Sequence, residues 1–126
     1  MTEEEALKRL GQNHARVDRA ILIERMRTLV RETEGGLMWA FDPLHRTTSP
    51  MPYTTPMYRS FASKVTCPVL YVTGGTLGYR PPDEEDRLSA FQTLERFDLP
   101  DAGHMMHWTR PEALATRLLA FFETPG

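Results

Sequence analysis

Lys64-Val65-Thr66-Cys67-Pro68-Val69-Leu70-Tyr71-Val72-Thr73-Gly74-Gly75 is the stretch on which the fold turns. Its apolar, β-branched character is continuous rather than alternating, which predicts a parallel strand over Lys64–Thr73 covered on both faces, with Pro68 near its start. Downstream, Pro81-Pro82-Asp83 leads into Leu88, Phe91 and Leu94 at helical spacing, the pattern of a helix opened by proline and acidic residues. Arg96-Phe97-Asp98-Leu99 reads as a second short strand stopped by Pro100. Thr109-Arg110-Pro111-Glu112 has the spacing of a capping box, and Leu114, Leu118, Leu119 and Phe122 follow as the inner stripe of a last helix. Strand, helix, strand, helix is half of a doubly wound α/β layer.

Upstream, Glu3 to Glu34 lacks proline, and Leu22, Met26, Leu29 and Val30 recur on one helical face. This predicts helix with a break near Gly11 and a stop at Gly35-Gly36. From Leu37 to Pro56 four prolines (Pro43, Pro50, Pro52, Pro56) predict loop, whose aromatics Trp39, Phe41 and Tyr53 imply packing against a body. A short helix is expected over Met57–Ser63. The division drawn from composition is 1–63, a helical and loop region, and 64–126, the strand-helix-strand-helix unit.

The whole chain has 126 residues, one domain's length, with 15 Lys+Arg against 17 Asp+Glu and a net charge of −2. That balance argues against nucleic acid or an anionic membrane as partner. No apolar run approaches the roughly 18 residues that span a bilayer. One cysteine and an acidic opening, Thr2-Glu3-Glu4-Glu5, lead us to expect a reducing, cytoplasmic setting.

The segment Cys67–Gly75 and, after a helix, Phe97-Asp98-Leu99-Pro100-Asp101-Ala102-Gly103-His104-Met105-Met106-His107-Trp108-Thr109-Arg110-Pro111-Glu112 resemble the last two strands of an α/β-hydrolase. The resemblance is sharpest from about Val65 to Phe122. Trp39-Ala40-Phe41-Asp42-Pro43 is similar to the cap region many members insert before these strands. The resemblance implies a partial α/β-hydrolase fold, with two short parallel strands, flanking helices and an N-terminal cap-like segment. It also implies that His104 is the general base of a Ser-His-acid triad. Independently of the family, a histidine on a loop just past a strand's carboxyl end is held by the sheet yet reaches the crevice where ligands collect. An imidazole there can take a hydroxyl proton and return it to a leaving group.

The rest of the triad is missing from this pattern. No Gly-x-Ser-x-Gly turn is present; Ser49, Ser60, Ser63 and Ser89 lack the flanking glycines of a nucleophile elbow. Cys67, at the start of a strand, reads as a buried core thiol. Where many members place the acid after the penultimate strand, this chain has Leu77. Asp83 is the nearest substitute and reads better as a helix N-cap; the acid could also lie after an earlier strand outside the chain, or be lost. The pair His104 and His107 lacks the further ligands a zinc site needs, so no metal and no cofactor are expected. Trp39 and Trp108 read as core rather than pocket.

Two functions follow. One is the C-terminal part of a serine hydrolase of esters or related carbonyl compounds, inactive alone, with the region from Glu3 to Phe61 as lid and a small molecule as substrate. The alternative is a non-catalytic binding or interaction module derived from a hydrolase. Two parallel strands cannot cover their own edges, so the sheet should be completed by a nucleophile-bearing half or by a second copy, a homo-oligomer.

Overall fold

A computed structural model describes residues 1–123, without the side chain of Arg46. Contacts divide the chain into two compact units, Met1–Ser49 and Pro50 onward.

In the first unit, helix α1 (Glu3–Asn13) opens on a capping box: Glu5 N–H donates to Thr2 Oγ1 at 3.2 Å, and Thr2 N–H to Glu5 Oε2 at 2.8 Å. Helix α2 (Arg19–Leu29) is capped by Asp18, whose carboxylate accepts from Ala20 N–H at 2.7 Å. Ala6 and Leu10 of α1 and Leu22 and Met26 of α2 are buried and form this unit's core. The helical break expected near Gly11 lies at His14–Asp18, because Asp18 restarts the helix. The helix also stops earlier than expected. Val30–Thr33 (β1) pairs antiparallel with Gly36–Trp39 (β2) across a turn at Glu34-Gly35, in sequence where helix and then loop were expected. Val30 extends the apolar helical face in sequence, but β-branched Val30 and Thr33 flanking a glycine turn favour a hairpin. Met1 backs β2 by exchanging two backbone hydrogen bonds with Leu37, 2.8 and 2.9 Å.

The second unit holds α3 (Thr55–Ala62), β3 (Val69–Thr73), α4 (Glu84–Leu88), β4 (Leu94–Asp98), α5 (Met106–Thr109) and α6 (Pro111–Glu123). β3 and β4 pair in parallel, with Val69 opposite Leu94 and Thr73 opposite Asp98. Ala62, Leu88, Leu99, Ala102 and Trp108 are the buried apolar residues; the core reading of Trp108 holds. Residues 50–63, grouped with the first region by composition, are tied to this unit: Arg59 pairs with Asp86 and Thr55 donates its hydroxyl to Asp83.

Several local expectations are corrected here. β3 begins at Val69, not Lys64, since Lys64 and Val65 N–H close turns onto Phe61 and Ala62 carbonyls. Cys67 therefore lies outside the strand and is exposed, not core. Every residue of β3 is half-buried, not fully covered, because only β4 lies beside it among the described residues. α4 ends at Leu88, and Leu94 belongs to β4. Thr109 closes α5 and donates to the Ala102 carbonyl at 2.6 Å instead of forming the expected capping box. On α6, Leu114, Leu118 and Phe121 face inward with Arg117, whereas Leu119 and Phe122 are exposed. Tyr53 and Phe61 of the aromatic loop region are likewise exposed. No described helix is long and apolar enough to cross a membrane.

Candidate active site

The carboxyl ends of β3 and β4 are welded by backbone contacts. Leu99 N–H donates to the Thr73 carbonyl at 2.8 Å, and Gly103 N–H to the Gly74 carbonyl at 2.9 Å. Asp98, the last residue of β4, accepts from the Thr73 hydroxyl and from Gly75 N–H (3.0 Å). The loops can approach this closely only because Gly74 has no Cβ: one built there would lie 2.1 Å from the Gly103 carbonyl oxygen. Gly75 and Gly103 both adopt φ +70°, a conformation open to glycine at little cost. Asp101 also has positive φ, 57°, so the turn out of β4 is tight and leads directly to His104.

His104 is exposed and lines a cleft of about 370 Å³ together with Tyr58, Tyr71, Thr73, Gly74, Tyr79, Glu84, Arg87 and Met106. His104 thus reaches a crevice at the strands' carboxyl ends, where the sequence put it. His107, three residues on and within α5, lies outside this lining and meets Trp108 edge-on, ring centroids 5.7 Å apart. No group of three metal-ligating side chains occurs among the described residues.

Asp83 stands at the N-cap position of α4, as expected, but its carboxylate does not cap the helix. It accepts from the Thr55 hydroxyl and pairs with Arg87 Nε at 2.9 Å, and these contacts hold it below the usual carboxylate range. It does not line the cleft. Leu77, in the acid's position, closes a 3-10 turn over Gly75–Leu77. Ser49, Ser60, Ser63 and Ser89 are exposed and none lines the cleft.

The cleft's own acid, Glu84, was not singled out from the sequence. It is 6% exposed; its carboxylate accepts from Arg80 Nε at 2.7 Å and from the Tyr71 hydroxyl at 2.5 Å. The Arg80 guanidinium, four residues earlier, holds Glu84 below its ordinary value, while burial and then the bond to Glu84 push the Tyr71 phenol up to about 12. Arg80 lies outside α4, across Pro81-Pro82, so the pair forms through the turn and no helical spacing announced it. A depressed folded-state pKa contributes stability that is fully present above the ordinary value of 4.5 and is lost as pH falls through the folded value. The thermal midpoint should therefore drop as the pH is lowered below about 4.5, and Glu84→Gln should flatten part of that drop. Thermal melts of both proteins between pH 6 and about 3 check this; parallel curves would contradict it.

No family model matches the sequence, and no curated protein matches it. Among solved structures the chain is similar to a thioesterase domain from the curacin biosynthetic pathway, with a TM-score of 0.79 and 20% identity, covering 94% of this chain and 43% of that one. This chain carries part of the α/β-hydrolase fold. E-2-(acetamidomethylene)succinate hydrolase is similar as well, with a TM-score of 0.75 and 17% identity, covering 98% of this chain and 46% of that one. The chain thus spans less than half the length of either α/β-hydrolase structure.

Proposed function

We propose that this chain is the C-terminal part of a serine hydrolase acting on an ester or related carbonyl compound, and that His104 is its general base. The observation that carries this reading is the placing of an exposed imidazole in a cleft at the carboxyl ends of two parallel strands, on a loop fixed by the Gly74–Gly103 contact. In this reading a serine hydroxyl from polypeptide outside these 126 residues attacks the carbonyl carbon as His104 accepts its proton; the imidazolium then gives that proton to the leaving group. The fold similarity to a thioesterase and to another hydrolase supports the class of reaction and names no substrate.

The second reading, a non-catalytic binding module, draws on the commitments of the cleft's acid. Glu84 is engaged by Arg80 and Tyr71, and none of the described ion pairs includes His104. A fluorophosphonate probe separates the two. The chain expressed together with the segment encoded directly before it should be labelled at a serine, and the 126 residues alone should not. Absence of labelling in the joined protein, or preceding nucleotides that encode no strands and no Gly-x-Ser-x-Gly, overturns the hydrolase reading.

A further inference from the structure

His104 apart, the uncommitted polar side chains of its cleft are hydrogen-bond donors. The acid of the lining, Glu84, is spent on Arg80 and on the Tyr71 hydroxyl. Arg80 in turn gives Nε and Nη2 to Glu84, at 2.7 and 2.5 Å, and does not line the cleft. Arg87 is in the opposite condition. It lines the cleft, and its side chain is only 25% exposed. A guanidinium presents a planar fork of N–H donors, from Nε and from two terminal nitrogens. Arg87 pairs through Nε with the Asp83 carboxylate at 2.9 Å, and its terminal nitrogens meet no acceptor among the described residues. The Tyr58 and Tyr79 hydroxyls, in the same lining, likewise make no hydrogen bond among the described residues.

The guanidinium is also held in place. Its carbon lies 5.6 Å from the Tyr53 ring centroid and 5.5 Å from that of Tyr58. Contact with aromatic rings engages the face of a guanidinium and leaves its edge able to donate. With Asp83 on Nε and the two rings beside it, the side chain is ordered before any ligand arrives, which lowers the entropic cost of binding. Polar groups this far from solvent are ordinarily paired, and the partner that matches a planar two-pronged donor is a carboxylate, through parallel charge-assisted bonds. We infer that Arg87 is a specificity residue that receives a carboxylate of the substrate, so that the ester entering the cleft carries an anionic group besides the carbonyl to be cleaved. That the anion is a substrate rests on the hydrolase reading above; its binding needs no nucleophile.

Titration of the 126-residue chain followed by residue-resolved nuclear magnetic resonance tests the inference, with monomethyl adipate as the probe and methyl adipamate, its neutral amide, as the comparison. The half-ester should bind at least about 10-fold more tightly than the amide, the scale of one charge-assisted contact. The largest shifts should fall on the Arg87 Nε–H and the His104 ring. Arg87→Gln should bring the two affinities within about two-fold of each other. In the chain expressed with the segment encoded before it, the preference in kcat/KM for mono-p-nitrophenyl adipate over p-nitrophenyl hexanoate should fall about 10-fold in the same variant. Equal affinities on the unsubstituted chain overturn the inference whatever the variant does, and a preference that survives Arg87→Gln overturns it too. Inorganic phosphate competing as strongly as the half-ester overturns the carboxylate as the anion. A preference for the half-ester without fluorophosphonate labelling sustains the anion site and sinks the hydrolase reading; labelling with equal affinities does the reverse.

Discussion

Replacing Gly74 with alanine is expected to cost roughly 3 kcal/mol of folding stability, the upper part of the range for forced overpacking. The added methyl would stand 2.1 Å from the Gly103 carbonyl oxygen and 2.5 Å from its carbon, and both obstacles are backbone. No rotamer change relieves the clash. Relief requires the β3 and β4 loops to part, which breaks the Gly103–Gly74 hydrogen bond and moves His104. Gly35→Ala is the control, since nothing lies within 4 Å of its Cβ, and it should change stability by no more than about 0.5 kcal/mol. Urea midpoints read from far-ultraviolet circular dichroism, which reports helices and strands of both units, compare the two variants. Equal midpoints for the two alanine variants would show that the loops are not packed as described.

The second large effect is chemical. On the hydrolase reading proposed above, His104→Ala in the chain expressed with the segment encoded before it should lower kcat for a p-nitrophenyl ester by about 10⁴-fold, the scale lost when a triad member is removed. Folding should be unaffected, with a change within about 0.5 kcal/mol, because the side chain is exposed. His107→Ala, three residues on and outside the cleft lining, should leave kcat within a few-fold. Equal losses in both variants, or no loss in His104→Ala, would remove His104 from the mechanism.

The acid sensitivity expected from Glu84 bears on the same cleft. Its carboxylate sits in the wall that His104 shares, so protonating it frees the Arg80 guanidinium and the Tyr71 hydroxyl beside the site. A loss of activity below about pH 4.5 that follows the loss of stability would report this wall, whereas a loss at constant stability would report the chemistry.

Strand β3 was legible because a continuous apolar run ending in glycine is dictated by local burial requirements, and β4, its parallel sense and the loop carrying His104 followed from the strand-helix-strand order and the stop at Pro100, although the bounds of both strands moved. The first unit was less legible. Val30 continues the apolar face of α2 in sequence, and the hairpin at Glu34-Gly35 wins because β2 is held on its other side by Met1, a contact across 36 residues. The same limit hid Glu84 and Asp98. Each looks like an ordinary surface carboxylate until folding brings Tyr71 to one and Thr73 with the Gly75 amide to the other.

The order of elements and the address of one histidine thus came from the chain's composition and spacing, which act over a few residues. Which glycine permits the loops to touch, which carboxylate is buried and that Cys67 is exposed were settled by tertiary structure. Those are properties of residues distant in sequence meeting in space, where a displacement of an ångström decides between a hydrogen bond and a clash.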